Sequence, residues 1–136
     1  MKVSILIVTY NGLEYTRRCL ASVREEVLSH SDYEVILHDN ASREPVADMV
    51  RTEFPWVKVI EGENGGFAYG NNRALEQASD PEYALLLNPD VFVSPGVIEA
   101  TENLLDSNST VGAVTVMNEG MNGEKQHFIC QSPSPL

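Results

Sequence analysis

Hydrophobic positions along the 136-residue chain fall in two alternating textures. Short, solid apolar runs occur at Val3–Val8, Glu34–His38, Val57–Ile60, Tyr83–Leu87 and Val111–Met117. Between them the apolar residues are spaced. Leu13, Leu20, Val23 and Val27 recur over 13–28, and Val46, Met49 and Val50 lie between Pro45 and Phe54-Pro55. A third spaced stretch covers about 67–78, and a fourth carries Val97, Ile98, Thr101, Leu104 and Leu105 to about Ser107. The solid runs predict strands and the spaced ones helices. Pro45 fits a first helical turn with Ser42 or Arg43 near the cap, and Ser94-Pro95 pairs a capping hydroxyl with a proline at a helix start. The resulting order, β-α-β-α-β-α-β-α-β, predicts an α/β fold: three α-β-α layers around an open, mostly parallel sheet. Right-handed crossovers would bring every strand-to-helix turn to one edge of that sheet.

The fourth run is the most telling. Ala84-Leu85-Leu86-Leu87 lacks alternation, which predicts a strand buried on both faces. It stops at Asn88-Pro89-Asp90, where proline breaks the ladder for want of an N–H. A carboxamide and a carboxylate thus stand where a strand leaves the core, and ligands of open α/β sheets bind outside such ends. The other strands end alike, in Thr9-Tyr10-Asn11, Asp39-Asn40 and Asn64-Gly65-Gly66-Phe67. Each piece alone has a plain structural explanation. Asp39 and Asn40 suit an Asx-turn, Asn64-Gly65-Gly66 suits a tight turn, and Asp90 suits a turn residue. Four such ends in succession point instead to one polar crevice able to read a base and ribose, with Asp90 as an oxygen ligand for a hard cation. Gly70-Asn71-Asn72, poor helix formers early in a helix, add to this, although close packing of Gly70 on the sheet is the plainer explanation. Arg73 is the basic residue nearest the glycine-rich loop. His30, His38 and His127 are scattered, and His38 reads as a satisfied core residue.

Composition narrows the partners. A net charge of −11 and a pI near 4.5 argue against nucleic acid and anionic membrane surfaces. No apolar run approaches the roughly 18 residues of a membrane span. The N-terminal MKVSILIVTYNG reads as a first strand rather than a signal peptide. Cys19 and Cys130 have neither metal spacing nor a disulfide framework, so a reduced, cytoplasmic setting is expected, including the inner face of the membrane.

The stretches VSILIVTYNG, LHDNAS, NGGFAYGNN and LLLNPDV, in this order and spacing, resemble the inverting family 2 glycosyltransferases of GT-A fold, and among them the bacterial rhamnosyltransferase-like members. The resemblance covers Lys2 to about Met117. It implies transfer of a sugar from a UDP- or dTDP-sugar to an acceptor hydroxyl, as in polysaccharide biosynthesis. By similarity, Thr9, Tyr10 and Asn11 would line the base and ribose pocket and Asp39 would hydrogen-bond the base. Asn64, Gly66, Phe67 and Asn72 would wall the ribose and phosphates. Asn88 and Asp90 stand at the family's metal motif, where Asp90 would hold Mg²⁺ or Mn²⁺ against the diphosphate. Asn88 replaces the usual first acid of that motif, which implies weaker metal binding or a contact with ribose.

The resemblance also divides the chain into a nucleotide-sugar-binding core, 1–117, and a tail, 118–136, expected to begin an acceptor-binding half with the catalytic base. Only Glu119 and Glu124 lie in that direction, and neither is assigned. The acceptor would be a saccharide or lipid-linked, and an edge left uncovered would favour a homo-oligomer. Two other functions compete. A nucleotide-sugar-binding module without transfer activity shares every motif and differs only in failing to turn over its donor. A receiver-like phosphoacceptor domain would need an acidic pair after the first strand and a lysine after the fifth, where this chain has Thr9-Tyr10-Asn11 and Asn118.

Overall fold

A computed structural model describes residues 1–120 and 122–126. The strands are β1 (Val3–Thr9), β2 (Tyr33–Asp39), β3 (Val57–Glu61) and β4 (Tyr83–Leu87). They form one parallel sheet in the order β3-β2-β1-β4. Helices α1 (Leu13–Ser29), α2 (Val46–Glu53), α3 (Phe67–Leu75) and α4 (Val97–Ser107) alternate with them. The register sets Thr9 beside Asp39 and Asp39 beside Glu61, with Ile7 beside Leu87. All four strands therefore end at one edge.

Side-chain alternation divides the sheet into two faces. Val3, Ile5, Ile7, Val35 and Leu37 pack under α1, α2 and α4 against Leu20, Val23, Val50 and Ile98. Leu6 and Ile36 point the other way, under α3 and its Ala74. Gly70 lets α3 lie flat on the sheet, because a Cβ there would come within 2.6 Å of Val8 Cγ1. The packing explanation for that glycine is the correct one.

Three expectations are corrected. Among the described residues β4 is an edge strand rather than one buried on both faces. Leu87 is buried and Leu85 packs on the larger core, but Ala84 and Leu86 are exposed, because α3 does not reach across them. They border a groove of about 300 Å³ with Leu6, Phe67 and Leu75. Residues 111–117 form no strand: the segment pairs with nothing among the described residues, and Val111, Val114, Val116 and Met117 are exposed. The chain instead makes a two-residue antiparallel pairing of β5 (Asn118–Glu119) with β6 (Lys125–Gln126). α4 is not capped by Ser94. Gly96, at φ +80°, holds the cap position, and the Glu26 carboxylate of α1 accepts the N–H groups of Gly96 and Glu99. An acceptor supplied from another helix has taken the capping hydroxyl's place. His127, Cys130 and residues 132–136 lie outside the described residues.

Candidate functional site at the strand ends

The turns after β1 and β2 are locked together. Asn11, at φ +58°, accepts the Arg43 N–H at its Oδ1 (2.8 Å) and donates its own backbone N–H to Ser42 Oγ (2.7 Å). The Leu13 N–H, at the start of α1, is accepted by the Glu44 carboxylate at 2.8 Å. Thr9 is buried, its hydroxyl donating to the Asn11 carbonyl and meeting Thr16 Oγ1 at 3.0 Å. Between these anchors Tyr10 stands out, 50% exposed. Thr9 and Asn11 thus brace the ledge, and Tyr10 is the side chain presented on it.

Asp39 is 4% exposed, and its Oδ1 accepts the Ser42 N–H at 2.9 Å. That is the Asx-turn of the plainer explanation. Oδ2 engages no donor among the described residues, so the turn leaves one oxygen of a nearly buried carboxylate uncommitted. It is not one of the fully buried unpaired side-chain atoms, so it reaches the surface, where a donor can approach it.

The glycine-rich loop between β3 and α3 closes over the same end. The Gly62 N–H donates to the Asp39 carbonyl (3.1 Å), and Asn64 Oδ1 accepts the Gly66 N–H (3.2 Å). Gly66, at φ +89°, opens α3 in a conformation that side-chain-bearing residues rarely adopt. Phe67 is 52% exposed and, with Asn72, faces the groove between α3 and β4. Asn71 turns inward and donates to the Phe67 carbonyl, and Arg73 is drawn to Glu76 at 2.6 Å.

Asn88 and Asp90 form the turn after β4, beside the end of β1. The Asn88 carbonyl accepts the Cys19 thiol at 3.6 Å. Burial pushes that thiol up to about 12, and the negative charge of Asp90 adds to the effect, so Cys19 is a neutral hydrogen-bond donor. Asp90 is exposed, with no hydrogen bond or ion pair to its carboxylate among the described residues. These residues hold no cluster of three or more metal-ligating side chains. One unengaged carboxylate suits Mg²⁺ or Mn²⁺ of the kind that completes its shell with phosphate oxygens and water.

The roles of four polar contributors escaped the reading of the sequence. Ser42 is expected near the cap of α2, but Pro45 holds that position outside the helix and the Ser42 hydroxyl accepts the Asn11 N–H instead. Glu44 has no role in the sequence reading. His38 is buried, but its Nδ1 has no hydrogen-bond partner, so it is not a satisfied core residue. Tyr69 lies against the loop. The spacing Gly62…Gly65 was the available signal for both rings, since glycine permits close approach.

A family model described as glycosyl transferase family 2 matches residues 4–133. The uncharacterized glycosyltransferase YfnE of Bacillus subtilis is 35% identical over 81 residues, covering 57% of this chain and 20% of that protein. The Staphylococcus aureus TarS structure (residues 1–349) in complex with UDP-GlcNAc superposes at TM-score 0.71 and 25% identity, over 80% of this chain and 32% of that one. A Pyrobaculum calidifontis mannosyltransferase in complex with GDP-Man and Mn²⁺ shares the fold at TM-score 0.73 and 24% identity, over 82% of this chain and 34% of that one. The chain therefore spans between a fifth and about a third of the length of these relatives. Its parallel sheet and flanking helices are a GT-A fold, and the chain belongs to glycosyltransferase family 2.

Proposed function

We propose that this chain binds a nucleotide-diphosphate-sugar across its strand ends, as the donor-binding part of an enzyme that transfers the sugar to an acceptor hydroxyl with inversion. The observation that carries the reading is the uncommitted oxygen of Asp39, set in a nearly buried turn at the edge where all four strands end. A base N–H is the donor it lacks, and the exposed Tyr10 ring offers a face on which a base can stack. Thr9 and Asn11 act by bracing Tyr10. Asn64 and Gly66 shape the backbone that leads to the N-terminus of α3, where the helix dipole favours phosphate oxygens. Phe67 and Asn72 would form the wall beyond them.

Asp90, with Asn88 beside it, is the group that would hold Mg²⁺ or Mn²⁺. When bound, the ion neutralises charge growing on the departing nucleoside diphosphate. The donor class is supported by the neighbouring structures, one in complex with UDP-GlcNAc and another with GDP-Man and Mn²⁺. The sugar is taken to be of the hexosyl or rhamnosyl class and the base uracil or thymine. The division at about residue 117 is part of the same proposal, residues 1–117 supplying the donor site.

A thermal-shift panel of UDP-, dTDP- and GDP-sugars, with and without Mn²⁺ or Mg²⁺, tests this. At a hundredfold excess over Kd the ligand adds about 2.7 kcal/mol of stability. Asp39→Asn keeps the acceptor for Ser42 and should lose most of the shift. Asp90→Ala should lose the part that depends on the cation. Shifts of unchanged size in both variants would move the pocket elsewhere. Donor hydrolysis above background, absent in Asp90→Ala, separates turnover from binding alone.

A further inference from the structure

The loop joining β3 to α3 rests on two aromatic rings that its glycines uncover. A Cβ on Gly62 would come within 2.8 Å of His38 Nε2 and 3.3 Å of its Cε1. A Cβ on Gly65 would come within 2.4 Å of the Tyr69 ring. The two rings meet edge to face, 6.2 Å between centroids and 86° between planes. No positive φ calls for glycine at 62 or 65, so close approach to the rings is what requires it there. The far end of the loop is tied back to β2, where Asn40 Nδ2 donates to the Gly66 carbonyl at 3.4 Å. Asn40 directly follows β2, two residues beyond His38. His38 Nδ1 and Asn40 Oδ1 are both buried without a partner among the described residues.

We propose that His38 is a positioning residue: packed neutral beneath the glycine-rich loop, its imidazole sets Gly62 directly and Gly65 through Tyr69, and so fixes the backbone wall of the donor site. This rests on the donor reading above, because the loop is that site's wall. Burial lowers the basicity of His38, while the Asn40 carboxamide and the Asp39 carboxylate pull the other way and Arg73 on α3 reinforces the burial. At the same level β1 offers Val8 and β3 offers Ile60, neither titratable. A proton would put a charge in this buried seat at a cost that the Asn40 carboxamide and Asp39 carboxylate do not offset, which favours moving the ring out from under Gly62. Mild acid should therefore loosen the loop.

The test uses the whole chain, with UDP and GDP in the presence of Mn²⁺ as probes. Backbone amides of Gly62, Gly65 and Gly66 are followed by NMR between pH 7.5 and 5. In the parent they should shift along the His38 titration, and in His38→Gln they should not. Whichever nucleotide binds should bind about tenfold more weakly to His38→Gln at pH 7.5, the usual scale for losing a supporting partner. Its affinity should also lose the acid fall seen in the parent. Gly62→Ala supplies a second route. It should weaken binding alone, and much less in a His38→Ala background, where the ring it meets is gone.

Amides that ignore the His38 titration, or Gly62→Ala and His38→Ala effects that simply add, would overturn the proposal. Amides that track the titration in a chain that binds neither nucleotide would uphold the setting of the loop and overturn the donor reading alone.

Discussion

The sheet face under α1, α2 and α4 buries Val3, Ile5, Ile7, Val35 and Leu37 among apolar side chains from three helices. The face under α3 has a much thinner core, Leu6, Ile36 and Ala74, and around it stand Ser4, Glu34, His38 and Asn40. Both faces belong to the same four strands, so backbone pairing does not explain the difference. The first face holds the strands in register. The second lies directly beneath the glycine-rich loop and carries polar groups not all of which are paired. Tight apolar packing and unpaired polar groups are thus divided between the two sides of one sheet.

The largest expected effect separates these faces by stability. Leu37, fully buried in the thick core, should cost about 2–5 kcal/mol on truncation to Ala. Leu86, 56% exposed on the α3 side of the edge strand, should change stability by less than about 0.5 kcal/mol in Leu86→Ala. Urea denaturation of both variants checks this. Equal losses would mean that something covers the groove and that the second face is closed in solution.

The next effect lies within the thin face. Gly70→Ala places a Cβ 2.6 Å from Val8 Cγ1 and 2.9 Å from Cγ2, both on a buried β1 side chain. Overpacking of this kind costs about 1–3 kcal/mol. Val8→Ala removes the obstruction, so the double variant should be more stable than the sum of the two single losses implies. A cycle of denaturation curves over the four proteins reads that coupling directly. Simple additivity would show that α3 slides away to accommodate the methyl group and that its seat on the sheet is loose.

The thick face was readable in the sequence because its cause is periodic. Leu20, Val23 and Val27 fall on one side of a helical repeat, and Val35 and Leu37 alternate within a β-rich run. The ledge was readable for a related reason: four polar punctuations close four apolar runs. What escaped came from distant residues. Nothing near Ser94 announces that Glu26, about seventy residues away, will cap α4. Ala84-Leu85-Leu86-Leu87 looks doubly buried, yet its exposure depends on how far α3 extends, and α3 ends at Leu75 rather than near Ala78. Residues 111–117 have the composition of a strand, but a strand also needs a neighbour. His38 departs from its expected satisfied state because an imidazole in an apolar run looks the same whether or not its nitrogens find partners.

The smallest expected effect concerns acid, and it should fall on one face only. His38 has its folded-state pKa lowered by burial from the ordinary 6.5, against the pull of Asn40 and Asp39. The unfolded chain then takes up that proton first. The stability His38 confers is full above about 6.5 and drains as pH falls toward the folded value. For Glu34, burial raises the pKa, but hydrogen bonds from Ser4 and Ser79 outweigh it and the net shift is downward from 4.5. Its contribution is present above about 4.5 and lost as pH falls through the folded value. Both side chains lie on the α3 side of β2, alternating with Val35 and Leu37. Hydrogen-exchange protection, corrected for the intrinsic pH dependence, should therefore fall in α3 before α1 as the pH is lowered from about 7.5 to about 3.5. His38→Gln should flatten the upper part of that decline, and Glu34→Gln only the limb below about 4.5. Were α1 to lose protection in step with α3, the faces would be opening as one cooperative unit, and the chemical contrast between them would have no energetic counterpart.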